Sequence, residues 1–192
     1  MIDLPHANRV AIFVDGANLF KSAEEKRVPV DYAWLRQRLA GNRQAVSAFY
    51  FGSYKREPVT PEETSRERAF EEMLHGAGFE LRLRPLKAEP FGLRVPRGVE
   101  FHASAGPGVD IRIYEEKGVD VALVTEMLTR AWDGEFDVAV LVSGDGDYSA
   151  AVRELVRHGK EVEVAAFLHS ASTELRRSAT RFIDLATLLT QG

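Results

Sequence analysis

Three short apolar runs, Val10 to Val14, Val138 to Val142 and Val162 to Phe167, constrain this chain more than any other feature. Each is nearly unbroken rather than alternating, which is the pattern of a parallel strand covered on both faces. Ala45 to Tyr54 reads as a further strand richer in aromatics, and Phe79 to Leu83 alternates like a strand with one solvated face. Between them, Asp31 to Ala40, Pro61 to His75, Val119 to Trp132 and Tyr148 to His158 place apolar residues three and four apart, the spacing of amphipathic helices. Strands alternating with helices of this length predict an α/β fold in three layers, α/β/α, with a mainly parallel central sheet. Ser172 to Leu189 reads as a short helix, a brief strand around Phe182 and Ile183, and a final helix. Trp34 and Trp132 lie on apolar helical faces and are assigned to the core.

At 192 residues the chain fits one domain, 1–192, with a core of full size. The stretch from Pro85 to Gly118 breaks the pattern. It is rich in Pro and Gly, carries Lys87, Arg94, Arg97 and Arg112, and reads as an excursion, either a β-hairpin or a plain surface loop. No stretch approaches the ~20 apolar residues of a membrane span. Met1 to Asn8 lacks the basic and apolar segments of a secretion signal, and with no cysteine there are neither disulfides nor thiolate metal sites. The cytoplasm is the expected compartment. A net charge of −4 argues against non-specific coating of nucleic acid but is compatible with a clustered acidic site.

In an open α/β sheet, ligands bind beyond the carboxyl ends of the strands. The first run ends in Asp15-Gly16-Ala17-Asn18, and Val138 to Val142 ends in Ser143-Gly144-Asp145-Gly146-Asp147. Asp120 opens a strong helix whose start faces the same edge. Asp15, Asp120, Asp145 and Asp147 could therefore converge, and bare carboxylates sharing a site repel and raise one another's pKa. Oxygen-only donors without Cys or a nearby His suit Mg²⁺ or Mn²⁺. Such a cation can activate a water for attack on a phosphodiester. Gly144 and Gly146 are read as leaving room for substrate, Asn18 as a donor to phosphate or metal-bound water, and Ser143 in a similar supporting role. Taken singly, Asp120 reads as an N-cap or first-turn acid and Asp147 as the cap of the helix from Tyr148. A cap is less attractive for Asp15 and Asp145, which end central apolar strands where bare charge is expensive. Phosphate-binding P-loop, dinucleotide-binding and nucleophile-elbow motifs are missing. The five histidines lack ligand spacing and are assigned nothing.

Four blocks carry a resemblance: Ile12 through Asn18, Lys117 through Leu123, Leu141 through Tyr148, and Gly159 through Phe167. In this order they resemble the NYN domains of the PIN-like nuclease superfamily, specifically the bacterial LabA-like branch. The resemblance implies a PIN-like, Rossmann-like fold, a divalent-metal site and hydrolysis of RNA phosphodiesters leaving a 5′ phosphate. By position, Asp15, Asp120, Asp145 and Asp147 match the family's acidic residues, and Asn18 and Ser143 its polar ones. Glu126, six residues after Asp120, is turned away from it on a helix and is left out.

The expected function is a metal-dependent endoribonuclease acting on single-stranded RNA. Asp15, Asp120 and Asp145 would hold the ion, Asp147 would support a second ion or the water, and Asn18 would position the phosphate. Arg82, Arg84, Lys87, Arg153 and Arg176 are candidates for the RNA backbone. Two alternatives stay open: a module that binds RNA or protein without cutting, and a Toprim-like nuclease acting on DNA. Toprim domains place a glutamate at the end of the first strand, where Asp15 stands here. A homodimer is also left open.

Overall fold

β1 (Arg9–Asp15) lies at the middle of the molecule, and its alternate side chains seed two cores. Val10, Ile12 and Val14 join one layer of helices and Ala11 and Phe13 the other, and all are fully buried. This two-sided burial is what the unbroken apolar run predicts. Full burial of each large side chain contributes about 1.5–3 kcal/mol. In a computed structural model describing residues 9–55, 60–90, 100–102 and 112–190, the chain continues through α1 (Gly16–Lys26), α2 (Tyr32–Ala40), β2 (Gln44–Tyr54), α3 (Pro61–Gly76) and β3 (Glu80–Pro85). Next come β4 (Lys87–Pro90), β5 (Glu100–His102), β6 (Arg112–Glu115), α4 (Val119–Trp132) and β7 (Val138–Val142). A single 3-10 turn at Gly146–Tyr148 leads into α5 (Ser149–Arg157), β8 (Glu161–Ala166), α6 (Thr173–Ser178), β9 (Arg181–Asp184) and α7 (Leu185–Thr190).

The main sheet has six parallel strands in the order β3-β2-β1-β7-β8-β9. The chain builds outward from β1 to β3, returns to the far side of β1, and builds outward again to β9. Strand order therefore reverses between β1 and β7. Leu19 and Ala23 of α1, after β1, pack with Ile12, whereas Val152 and Leu155 of α5, after β7, pack with Phe13 on the opposite face. Helices that leave adjacent strands toward opposite faces open a crevice beyond the strand ends. Local signals fix the helix starts: Asp31 accepts the Trp34 N–H at 3.0 Å, and Thr60, just before Pro61, accepts the Glu63 N–H at 3.1 Å.

The excursion is neither a lone hairpin nor a plain loop. β4 and β5 both pair antiparallel with β6, forming a separate three-stranded sheet in the order β4-β6-β5. Arg94 and Arg97 lie outside the described residues, as does the Met1 to Asn8 segment. Trp132 is a second correction, being 53% exposed with its ring 5.3 Å from that of His158. The buried stripe of α4 runs Val119, Leu123, Met127, Ala131, and residue 132 falls one step off it. Trp34 is half-buried, with the Arg38 guanidinium 5.3 Å from its ring centre. Among the described residues no helix is long and apolar enough to cross a membrane.

Candidate functional site

The crevice between the ends of β1 and β7 is built around Asp15, whose side chain is buried at 7% exposure. Its Oδ1 accepts the Asn18 N–H at 3.1 Å, capping α1. Its Oδ2 accepts two hydroxyls, Ser143 Oγ at 3.0 Å and Tyr148 Oη at 3.1 Å. Ser143 Oγ in turn accepts the Asp145 N–H at 3.2 Å, so one hydroxyl joins the two strand-end aspartates. Asp145 Oδ1 accepts the Asp147 N–H at 3.0 Å and shapes the 3-10 turn. Asn18 Oδ1 accepts the Gly144 N–H at 2.9 Å, which locks α1 to the β7 loop. Any ligand contact by Asn18 then falls to its NH₂ donors.

The capping roles differ from the expectation except at Asp120, which is the first-turn acid. Asp15 and Asp145 cap, whereas Asp147 donates its N–H to Asp145, and Asp120 sits in the first turn of α4 behind Gly118, which makes no side-chain cap. The burial cost expected at Asp15 is real, and the two hydroxyls and the backbone N–H are what offset it.

The glycines are also corrected. A Cβ on Gly144 would meet the Ser170 carbonyl oxygen at 2.7 Å, and one on Gly146 would meet Ser172 Oγ at 2.9 Å. The close approach that requires glycine here comes from the segment after β8, not from substrate. The Ser172 N–H donates to the Gly144 carbonyl at 2.8 Å, and Ser22 Oγ donates to Ser170 Oγ at 2.9 Å. Gly16 is under similar pressure, since a Cβ there would lie 2.3 Å from the Tyr50 ring and hydroxyl.

Electrostatics mark Asp15, Asp120 and Asp145 as neighbours and add Glu116. Burial pushes the Asp15 carboxyl above its ordinary value against the lowering pull of Asn18, Ser143 and Tyr148, and the charge of Asp145 pushes it further. Glu116, exposed as a whole residue, is also pushed up, first by desolvation around its carboxyl and then by Asp15 and Asp120; Ser53 Oγ donates to it at 2.6 Å. The Tyr148 phenol is raised strongly, by burial first and then by Asp15, with Asp120 and Asp145 adding to it. It therefore stays protonated as a donor. Asp147 is exposed and is not among the charges acting on these groups. Among the described residues, no three His, Asp or Glu side chains converge closely enough to enclose an ion by themselves.

Glu116 and Tyr148 are the additions that reading the chain missed. Glu116 immediately precedes one quoted block and Tyr148 ends another, but only the tertiary fold brings them to Asp15. The basic candidates are elsewhere or occupied. Arg82 pairs with Glu126 at 3.2 Å and Glu80 at 3.1 Å and lies over the Phe49 ring. Arg130 joins the same Glu126 at 2.8 Å, which ties Glu126 into this ion-pair network. Arg153 on α5 pairs with Glu174 of α6 at 2.9 Å, and Arg176 lies over the Phe182 ring. Arg84 is exposed on β3, and Lys87 is exposed at the start of β4.

The profile of the NYN domain family matches residues 9–186. The low amplitude and bright protein LabA of Synechococcus elongatus is 26% identical over 180 residues, covering 93% of this chain and 84% of that protein. The crystal structure of a protein of unknown function from Vibrio parahaemolyticus superposes with a TM-score of 0.69 at 26% identity, covering 96% of each chain. With the family profile spanning nearly the whole chain and the doubly wound sheet in place, the chain belongs to the NYN domain family of the PIN-like nuclease superfamily, on its LabA-like side.

Proposed function

We propose that the protein is a divalent-metal-dependent ribonuclease that cuts single-stranded RNA internally, at the crevice between β1 and β7. The observation that carries this reading is the buried Asp15 carboxylate, oriented by Ser143 and Tyr148 and repelled by neighbouring acids, at the point where strand order reverses. NYN and PIN-like nucleases generally use divalent metals and act on nucleic acid. The donor set fits such an ion. Asp15 uses three of its roughly four lone-pair positions on internal donors, which leaves about one for a cation. Mg²⁺ and Mn²⁺ favour oxygen donors, and Mg²⁺ commonly takes only one or two carboxylates while keeping several waters, so a closed protein cage is not required.

Of Asp15, Asp120 and Asp145, one or two would bind the ion directly and the others through its waters, Glu116 lies near them, and Asp147 is reserved for a second ion or the attacking water. A divalent cation bound there supplies charge neutralisation at the phosphoryl oxygens and a water of lowered pKa. Ser143 and Tyr148 keep Asp15 in one rotamer. Asn18 offers its NH₂ to a phosphate oxygen while its carbonyl holds the β7 loop. Of the basic candidates, Arg84, exposed near the end of β3, is the better placed for the RNA backbone, since Arg82 and Arg153 already serve acidic partners; Lys87 is kept as a candidate for its position at the start of β4 alone. The whole is read as one working domain in the cytoplasm.

The test is cleavage of labelled single-stranded RNA by wild type and Asp145→Asn with Mg²⁺, Mn²⁺ or EDTA, beside single-stranded DNA and duplexes. Metal-dependent cutting of RNA that the variant loses is the expected result. Binding without turnover under any metal would replace the nuclease with a binding module, and preference for DNA would replace the substrate.

A further inference from the structure

Beside the acids, on the α1–α3 side of β1, lies a cavity of about 210 Å³. Its walls come from α1, α3 and the ends of β2 and β3, and it reaches the site at Gly16, next to Asp15, and at Glu116. Three aromatics at its rim are open to solvent, Phe20 at 62%, Tyr54 at 39% and Phe70 at 38% exposure. Phe20 stands one helical turn beyond Gly16, and Phe70 is braced edge-on against Tyr50 and Tyr32 at 5.7 and 5.8 Å. One exposed apolar side chain means little, but three around one cavity form a patch of the kind that marks a binding surface. The cavity falls below the roughly 300 Å³ at which small-molecule sites begin, so it suits one ring system rather than a whole nucleotide. Glu67 and Glu71 also line it, and among the described residues no Lys or Arg does. That charge repels phosphate and welcomes a neutral group with N–H donors.

We propose that this cavity is a base-binding subsite, in which an unpaired nucleobase next to the scissile phosphate stacks on Phe20 and Tyr54 and donates its exocyclic amine to Glu67 or Glu71. The inference rests on the ribonuclease reading. It makes the protein selective for single-stranded segments, because a base can enter only when unstacked from its neighbours, and it favours adenine, cytosine and guanine over uracil. Carboxylates accept from exocyclic amines in the same way in duplex readout.

The experiment measures binding rather than cutting, so that its failure is distinct from failure of the nuclease reading. Full-length wild type, Phe20→Ala and Tyr54→Ala are titrated in EDTA against a short oligoribonucleotide carrying one 2-aminopurine, with an abasic version as control. Stacking should quench the 2-aminopurine in wild type, and each aromatic variant should weaken binding about five- to a hundredfold, as should the abasic RNA. Circular dichroism of the variants should match wild type, since both side chains are exposed. Unchanged affinity in both variants overturns the subsite even if wild type cleaves RNA; quenching that depends on Phe20 supports it even if nothing is cleaved. Equal binding of oligo-A, oligo-C and oligo-U overturns the assigned role of Glu67 and Glu71. If instead Phe20→Glu turns a dimer into a monomer with RNA binding intact, a second copy of the chain is the occupant and the proposal falls.

Discussion

At the amino-terminal end of the parallel sheet, Arg9 opens β1 and holds Asp137 at 2.7 Å, just before β7 begins. Nearby, Arg43 closes the last carbonyls of α2 and reaches the buried Glu163 at 2.8 Å, while Arg181 meets the other oxygen of Glu163 at 3.3 Å. Lys160 donates to the Phe136 carbonyl at 2.7 Å. At the carboxyl end, Asp15, Asp120, Asp145 and Glu116 stand together, and the partners named for Asp15, Asp145 and Glu116 are hydroxyls and backbone N–H groups rather than cations. The two ends consequently respond to charge in opposite senses: the guanidinium of Arg9 holds Asp137 below the usual carboxylate range, whereas burial and like charge hold Asp15 above it. One end is arranged for stability and the other is arranged at its expense, which is how sites that await a ligand are commonly built.

The sharpest break of this contrast is in activity. Asp15→Asn and Asp145→Asn should each lower metal-dependent RNA cleavage by at least about a hundredfold, and Glu116→Gln by about ten- to a hundredfold, more than Asp147→Asn. Initial rates on labelled RNA decide it, and an Asp147 effect larger than that of Glu116 would contradict the grouping seen here. At the other end, Glu163→Ala should cost about 3 kcal/mol by leaving Arg43 without its buried partner, and should leave cleavage untouched. Urea denaturation gives the first quantity and the same cleavage assay the second.

Stability should move the other way at the acidic end. In EDTA, Asp15→Asn removes a buried charge while keeping an acceptor for the Asn18 N–H, and a gain of about 1 kcal/mol would raise Tm by roughly 2–4 °C. A lower Tm would show that the hydroxyl pair more than offsets burial. The pH dependence follows from the signs. Because the folded pKa of Asp15 is raised, its contribution to stability is present below the ordinary carboxylate pKa and is lost as pH rises through the folded value. Asp137 is depressed, so its contribution is present above the ordinary pKa and is lost as pH falls through the folded value. Thermal melts of metal-free protein from pH 3 to 8 should therefore show Asp15→Asn gaining most at neutral pH and Asp137→Asn losing its deficit in acid, each by about 1 kcal/mol or less. The smallest effect is expected at Trp132→Ser, within about 0.5 kcal/mol, because the ring lies off the buried stripe.

The central strands were legible because two-sided burial leaves no polar residue in β1 between Arg9 and Asp15 and none within β7. The helices were legible from period, but Trp132 shows the limit, since an apolar residue beside a stripe has the same composition as one on it. The aspartates at the strand ends could be named in advance. Their partners could not, because Ser143 and Tyr148 reach Asp15 across separations of 128 and 133 residues and Glu116 is brought there only by the path of the excursion. Likewise a glycine reveals a need for space but not the occupant, and at Gly144 and Gly146 the occupant proved to be the chain itself. The ion pairs of two candidate arginines were hidden for the same reason: Glu126 and Glu174 are neighbours of Arg82 and Arg153 in space only.

The clasp between the β7 loop and Ser170 to Ser172 has a consequence for how the protein is born. Asp15 is synthesised 133 residues before Tyr148, and the segment that packs on Gly144 and Gly146 comes later still. At about 5–20 residues per second, roughly seven seconds or more separate the first acid from the group that orients it. A nascent chain thus carries the Asp15 carboxylate without the hydroxyl that orients it, and under the proposed function cleavage would be withheld until the β7 loop and the segment packed on it have emerged.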